Sequence, residues 1–259
     1  MPTDAAQLPA DLAAVPDGLA EAPAAAVVSW AVATFRHRFA VVTSFQLEGL
    51  VVVDLARRLD PDVRVVSLDT GRLPQETYDL IDEVRAGLGV RVELIAPDPA
   101  ATLAMTARHG ANLFRRDQAL RQLCCHVRKV EPLDRALAGT DAWATGLRRD
   151  GGPGRAGIAK VEHDPTRPGK LKLNPLADWT RERASAYVRD HRLPVHPLYE
   201  QGYQSIGCAP CTRATGPGES ERAGRWWWEA DQTRECGLNH QSRDERFAAA
   251  LAELRAARR

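Results

Sequence analysis

Apolar positions in the first hundred residues fall into short β-branched runs separated by longer amphipathic stretches. Residues 39–44 (Phe-Ala-Val-Val-Thr-Ser) form a run too short for a helix, and predict a buried strand. Residues 48–59 follow with an apolar stripe of Leu50, Val53, Leu55 and Leu59, predicting a helix. Residues 63–68 predict a second strand and 73–86 a second helix, with Pro74 tolerated near its first turn and Gly87 and Gly89 at its end. Residues 91–95 predict a third strand. Strand–helix–strand units of this length require parallel pairing through right-handed crossovers, hence an α/β domain whose sheet is covered on both faces.

The pattern then turns more helical. Residues 118–129 and 132–137 predict helices, 142–147 a fourth strand, and 148–154 a glycine-rich loop. Residues 171–173 predict a short strand. Thr180 predicts an N-cap for a helix to about His191. Regular pattern fades over 194–239, and an Ala/Arg/Glu/Leu helix is expected over 244–259. No internal repeat is present. These boundaries divide the chain into a flexible lead-in (1–23), an α/β domain (24–215) and a C-terminal segment (216–259).

Composition narrows the function classes. The 259 residues carry 35 Lys plus Arg against 34 Asp plus Glu, a net charge of +1. That balance argues against general binding to nucleic acid or to a membrane surface, which wants a strongly basic face. No apolar run approaches the ~20 residues of a membrane span. The lead-in has no Lys or Arg and so lacks the basic start of a signal peptide, which predicts a cytoplasmic protein. Thiols stay reduced there, so five cysteines suggest metal or catalysis before disulfides.

The cysteines carry the strongest chemical signal. Cys124 and Cys125 are adjacent, Cys208 and Cys211 form Cys-Ala-Pro-Cys, and Cys236 stands alone in Glu-Cys-Gly-Leu. Four thiolates in two pairs suit zinc or an iron–sulfur cluster, against the alternative of small buried core residues. Neighbouring side chains on a helix diverge by ~100°, which strains a single tetrahedral ion and favours a cluster. A site with four cysteine ligands is closed to substrate, so its work is structural and electrostatic.

A second signal lies at the strand ends. Residues 43–49 (Thr-Ser-Phe-Gln-Leu-Glu-Gly) leave the first strand and enter a helix, where parallel sheets bind anions. The loop matches neither the phosphate-loop nor the dinucleotide fingerprint, and an ordinary turn is its alternative reading. Asp69-Thr70-Gly71-Arg72 and Gly146-Leu147-Arg148-Arg149 end the second and fourth strands on the same rim. Lys129, one turn past Cys125, and Arg222 and Arg225, beside Trp226-Trp227-Trp228, are candidate anion contacts. Solvated surface charge is their alternative.

The segments CCHVRKVEPL, YQSIGCAPCTR, GRWWWE and ECGL, with LDTG and ATGLRRD, resemble the assimilatory adenylyl-sulfate reductases. The resemblance spans about residues 39–240. It implies an adenine-nucleotide α-hydrolase-like (PP-loop) sheet with a mobile C-terminal segment. It implies a [4Fe–4S] cluster on Cys124, Cys125, Cys208 and Cys211, and Cys236 as the nucleophile that attacks the sulfate sulfur. Lys129, Arg222 and Arg225 would contact the phosphosulfate, and Ser44 and Gly146 would lie against the nucleotide. Arg148, Arg155 and His240 complete the implied substrate-binding set.

Attack would leave an S-sulfocysteine, cleared by thioredoxin or a glutaredoxin-like thiol donor. The cluster cysteines point to adenylyl sulfate rather than its 3′-phosphorylated form. The rivals are 3′-phosphoadenylyl-sulfate reduction, a PP-loop tRNA-thiolation enzyme and a non-enzymatic redox sensor. The resemblance is compatible with a homo-oligomer. The chain departs from the family's ECGLH pattern, having Asn239 and then His240, and has Gln46-Leu47-Glu48-Gly49 where Gly-Ala-Glu-Asp is frequent.

Overall fold

A computed structural model describes residues 15–229, Glu235, Leu238 and residues 244–256. Among them, six strands form one sheet: β1 (Phe39–Val42), β2 (Arg64–Leu68), β3 (Val92–Ile95), β4 (Ala142–Ala144), β5 (Val161–His163) and β6 (Leu171–Leu173), in the order β3-β2-β1-β4-β6-β5. All pairs are parallel except β5 with β6 at one edge. The parallel α/β expectation therefore holds, with one antiparallel edge strand that the sequence pattern did not announce.

Side chains alternate across the sheet, and each set finds its own cover. On one face Phe39, Val41, Val65, Ala142 and Ala144 pack with α1 (Ala24–Phe35), α2 (Leu47–Leu59), α3 (Gln75–Leu88) and α7 (Arg181–Asp190). On the other, Ala40, Val42, Val66 and Trp143 meet Leu133 and Leu137 at the end of α6 (Glu131–Ala136). Each fully buried Val or Phe here contributes roughly 1.5–3 kcal/mol of transfer free energy. Arg64 clamps Glu93 with two of its nitrogens, Nε at 2.9 Å and Nη2 at 2.8 Å, and ties β2 to β3.

A third apolar cluster lies beside the sheet. It gathers Met105 of α4 (Pro99–His109), Leu120 and Leu123 of α5 (Gln118–Cys125), Leu254 of α8 (Glu245–Ala256) and four cysteines. Asp98 and Asp117 cap α4 and α5, accepting from Ala101 N at 2.7 Å and Leu120 N at 2.9 Å. Thr180 caps α7 as expected, accepting from Arg183 N at 3.2 Å.

Three expectations change. The lead-in is packed in its described part, since Leu19 is buried in the main core beside Ala24 and Val27. The helix expected over 118–129 ends as α-helix at Cys125 and continues as a π-helical segment, His126–Val130, directly into α6. The strand expected over 142–147 is regular only over its first half, because the chain leaves the sheet after Ala144 to form the rim of a pocket. No described helix is long and apolar enough to cross a membrane.

Candidate active site

The strand order fixes where a pocket can form. From β1 the chain moves outward to β2 and β3, then returns to pair β4 on the other side of β1. Loops leaving β1 and β4 diverge, and a crevice opens outside their carboxyl ends. A cleft with about 1260 Å³ of free space, open mouth included, occupies this point. Thr43, Ser44, Thr70, Thr145 and Gly146 line it from the rim of the sheet.

The first loop is held by side chains. Thr43 Oγ1 accepts from Phe45 N at 2.9 Å, and Phe45 takes a left-handed φ of 54° while its ring is fully buried. Gln46 Oε1 accepts from Ile206 N at 2.8 Å, so the loop is bonded to the segment carrying Cys208. Gly146 is needed for close approach. A Cβ there would sit 2.7 Å from the Glu48 backbone carbon and 2.8 Å from Gly49 N. Its hydrogen therefore faces the start of α2, and the residue sets the spacing of β4 from that helix.

Ser44, Lys129, Gly146, Arg148, Arg155, Arg222 and Arg225 all line the cleft, so the tertiary fold brings the described members of the expected set together. Their charges are not equivalent. Arg148 is only 2% exposed and is surrounded by carboxylates: Glu48 and Glu221, each at 2.7 Å, and Asp150. Its charge is spent inside the protein. Burial raises the Glu221 carboxyl above its ordinary value, against the pull of Arg148. Arg155 and Arg222 face Glu235, at 2.7 and 3.7 Å. Arg225 is buried against Gly207, where a Cβ would lie 2.2 Å from its Nη2, and stacks 4.7 Å above the Trp226 ring.

Behind this wall lies a second, smaller space, about 350 Å³ with its opening to solvent included. Cys124 and Cys125 from the end of α5, Cys208 just before the turn Ala209–Cys211 and Cys211 at its end line it together with Arg72, Arg128 and Trp226. All four are buried, and none of them forms a disulfide among the described residues. Cys208 Sγ donates to Thr70 Oγ1 at 3.3 Å, and Arg128 Nη1 donates to the Thr70 carbonyl at 2.7 Å. Burial pushes the Cys124 thiol up, and pushes Cys211 to about 12 with help from Cys208. Among the described residues no three His, Cys, Asp or Glu groups converge on the position of one metal ion. The four thiols share one space, and an all-sulfur donor set of this kind is what an iron–sulfur cluster or a zinc ion takes. Lys129 and Arg225 border both spaces.

Cys236, Asn239 and His240 lie outside the described residues. Glu235 and Leu238 line the cleft, and Arg121 is the anchor that sequence reasoning missed. It pairs with Glu229 at 2.7 Å, donates to the Glu235 carbonyl at 3.2 Å and stacks on Trp226 at 4.4 Å. Its position four residues before Cys125, on the same helix face, was the available signal.

Residues 38–214 match the family described as the phosphoadenosine phosphosulfate reductase domain. The chain belongs to that family. Among relatives of the reductase family, the adenosine 5′-phosphosulfate reductase of Allochromatium vinosum is 49% identical over 197 residues, covering 76% of this chain and 77% of its own. That of Burkholderia cepacia is 50% identical over 205 residues, covering 79% and 82%. The crystal structure of phosphoadenylyl-sulfate reductase from Candida auris, a phosphate complex, superimposes with a TM-score of 0.64 at 29% identity, covering 75% of this chain and 92% of that one. FMN adenylyltransferase from Candida glabrata shares the fold alone, with a TM-score of 0.55 at 12% identity over 92% of this chain and 80% of that one. The reductase-family match thus covers the rim loops and all four cysteines of the inner space, and ends before Arg222, Arg225 and Cys236.

Proposed function

We propose that this chain reduces adenosine 5′-phosphosulfate to sulfite and AMP. The observation that carries the reading is the shared wall, in which Lys129 and Arg225 border both the cleft at the strand ends and the ring of four thiols. The names of the bacterial relatives supply the substrate.

The substrate's sulfur is electrophilic but screened by anionic oxygens, so a thiolate approaches only if cations neutralise them. Lys129, Arg222 and Arg225, which line the cleft, supply that charge. The Cys236 thiolate attacks the sulfur, the S–O bond to the phosphate breaks, and AMP departs with the electron pair, leaving S-sulfocysteine. One thiolate of an external dithiol then attacks Cys236 Sγ. Sulfite leaves with the bonding pair, and a mixed disulfide remains. The donor's second thiol resolves it, freeing Cys236 and leaving the donor oxidised. Thioredoxin is the donor this chemistry asks for, because the other four cysteines are committed.

Cys124, Cys125, Cys208 and Cys211 would hold a [4Fe–4S] cluster. Four buried sulfurs around one space support the fit, as does the penalty that burial imposes on Cys124 and Cys211 as bare ionised thiols. When bound, the cluster supplies a fixed charge centre behind Lys129 and Arg225. Cysteines read as cluster ligands and nucleophile, rather than as disulfide partners, also fit a cytoplasmic setting.

The test is an anaerobic assay with adenylyl sulfate and its 3′-phosphorylated form, each with thioredoxin. Sulfite release from adenylyl sulfate, abolished by Cys236→Ser with the iron–sulfur absorbance retained, is the expected result. Turnover of the 3′-phosphorylated form alone would reassign the substrate. Loss of absorbance in Cys236→Ser would make that cysteine a ligand.

A further inference from the structure

The arginines expected to receive the substrate already hold an anion. Arg155 Nε donates to Glu235 Oε1 at 2.7 Å and its Nη2 to Oε2 at 3.3 Å, the fork-on-fork geometry in which arginine takes carboxylates and oxyanions alike. Arg222 Nε stands 3.7 Å from the same Oε1. The three side chains are 16%, 13% and 11% exposed for Arg155, Arg222 and Glu235. The seat is shaped as well as charged. A Cβ on Gly154 would lie 3.4 Å from Glu235 Cγ, so the loop 152–154 closes against the acid. From the other side Arg121, itself held by Glu229, grips the Glu235 carbonyl.

We infer that Glu235 is an internal occupant of an oxyanion site made by Arg155 and Arg222, and that the substrate's anionic group must displace it to bind. Burial alone would raise the Glu235 carboxyl, but Arg222 and Arg155 outweigh it and hold the group ionised below its ordinary value. A carboxylate and a sulfate or phosphate present the same pair of oxygens, so one fork serves one of them at a time. Without substrate, Glu235 supplies the carboxylate that the Arg155 fork holds. Glu235 and the substrate's anionic group therefore compete for the same guanidinium fork. Glu235 is a positioning residue in this scheme and takes no part in bond making. The inference deepens the reading of the cleft as an adenylyl-sulfate site and rests on it.

The test measures binding of inorganic sulfate and of AMP to the full-length protein by calorimetry, comparing wild type with Glu235→Gln and Glu235→Asp. Removing the competing charge is expected to tighten sulfate binding at least fivefold in Glu235→Gln, with Glu235→Asp between the two. Adding Arg155→Gln to Glu235→Gln is expected to erase the gain, which assigns it to this fork. Sulfate affinity that is unchanged or weaker in Glu235→Gln, with a melting temperature within 2 °C of wild type, overturns the inference. If Glu235→Gln unfolds, Glu235→Asp decides alone, and sulfate binding no tighter than wild type overturns the inference. A sulfate gain without AMP binding in any variant sustains the occupant and removes the nucleotide reading. AMP binding without a sulfate gain does the reverse.

Discussion

Arg148 separates a residue that builds the cleft from one that serves its ligand. Replacing it with Met keeps an unbranched apolar stem and removes a guanidinium from among Glu48, Glu221 and Asp150. The side chain of Asp150 is 48% exposed, so its pairing contributes little. Glu48 and Glu221 are 13% and 25% exposed and lose a partner at 2.7 Å. Removing one member of a buried ion pair costs about 3–5 kcal/mol. Partial exposure, and Arg181 still at 3.2 Å from Glu221, bring the expectation to the low end, about 3 kcal/mol. For a chain of this size each kcal/mol lowers the melting temperature by about 2–4 °C, so Arg148→Met is expected to melt about 6–12 °C below wild type. Adding Glu221→Gln removes one orphaned charge and is expected to recover about half of the loss, a coupling that a double-mutant cycle reads directly. Thermal melts of the four proteins decide the matter. Arg148→Met melting within 2 °C of wild type, with only the Michaelis constant raised, would refute the argument and return Arg148 to the ligand.

Gly146→Ala puts a methyl 2.7 Å from the Glu48 backbone, and is expected to cost about 1–3 kcal/mol and to raise the KM for adenylyl sulfate; an unchanged melt and KM would show that α2 and the β4 loop are not in close contact. Cys211→Ser is expected to yield anaerobic protein without iron–sulfur absorbance, and full absorbance would remove Cys211 from the ligand set. Asp164, which accepts from Trp143 Nε1 at 2.9 Å, bears on acid stability. Burial works to raise its pKa, but hydrogen bonds from Thr166 and the charge of Arg167 outweigh it and hold the carboxyl below its ordinary value. Its folded pKa is thus the lower one, and its contribution is complete above the unfolded value and fades as pH falls through the folded one. Asp164→Asn is expected to lose about 1–3 kcal/mol at pH 7 in urea melts, with the deficit shrinking at the acid end. A deficit independent of pH would deny the carboxylate its role.

The central strands were legible because burial on both faces leaves them nothing but apolar residues, as in β1 with Phe39, Ala40, Val41 and Val42. The helix α1 escaped notice because Ala24–Phe35 has no charged residue, so no polar face marks its period. The edge strand β5, Val-Glu-His, is too short and too polar to show alternation. The π-helical widening after Cys125 has no local signature, since it changes the direction of Lys129 without changing a residue type. Among site residues, the cysteines announced themselves by chemistry. Two of the three carboxylate partners of Arg148 lie far from it in sequence, at Glu48 and Glu221, and only the tertiary fold tells a neutralised arginine from an available one. Glu235 was hidden by its neighbour, because Cys236 drew the chemical reading of that segment.

The left-handed Phe45 bears on how the cleft meets its ligand. A bulky residue at positive φ costs of order 1–3 kcal/mol, and here the fully buried ring offsets it. Glycine at that point would leave the turn free to sample many shapes, whereas an aromatic plug casts it in one. The conformational entropy of this stretch is surrendered during folding, so an arriving nucleotide finds a rigid mould and is spared the cost of ordering it.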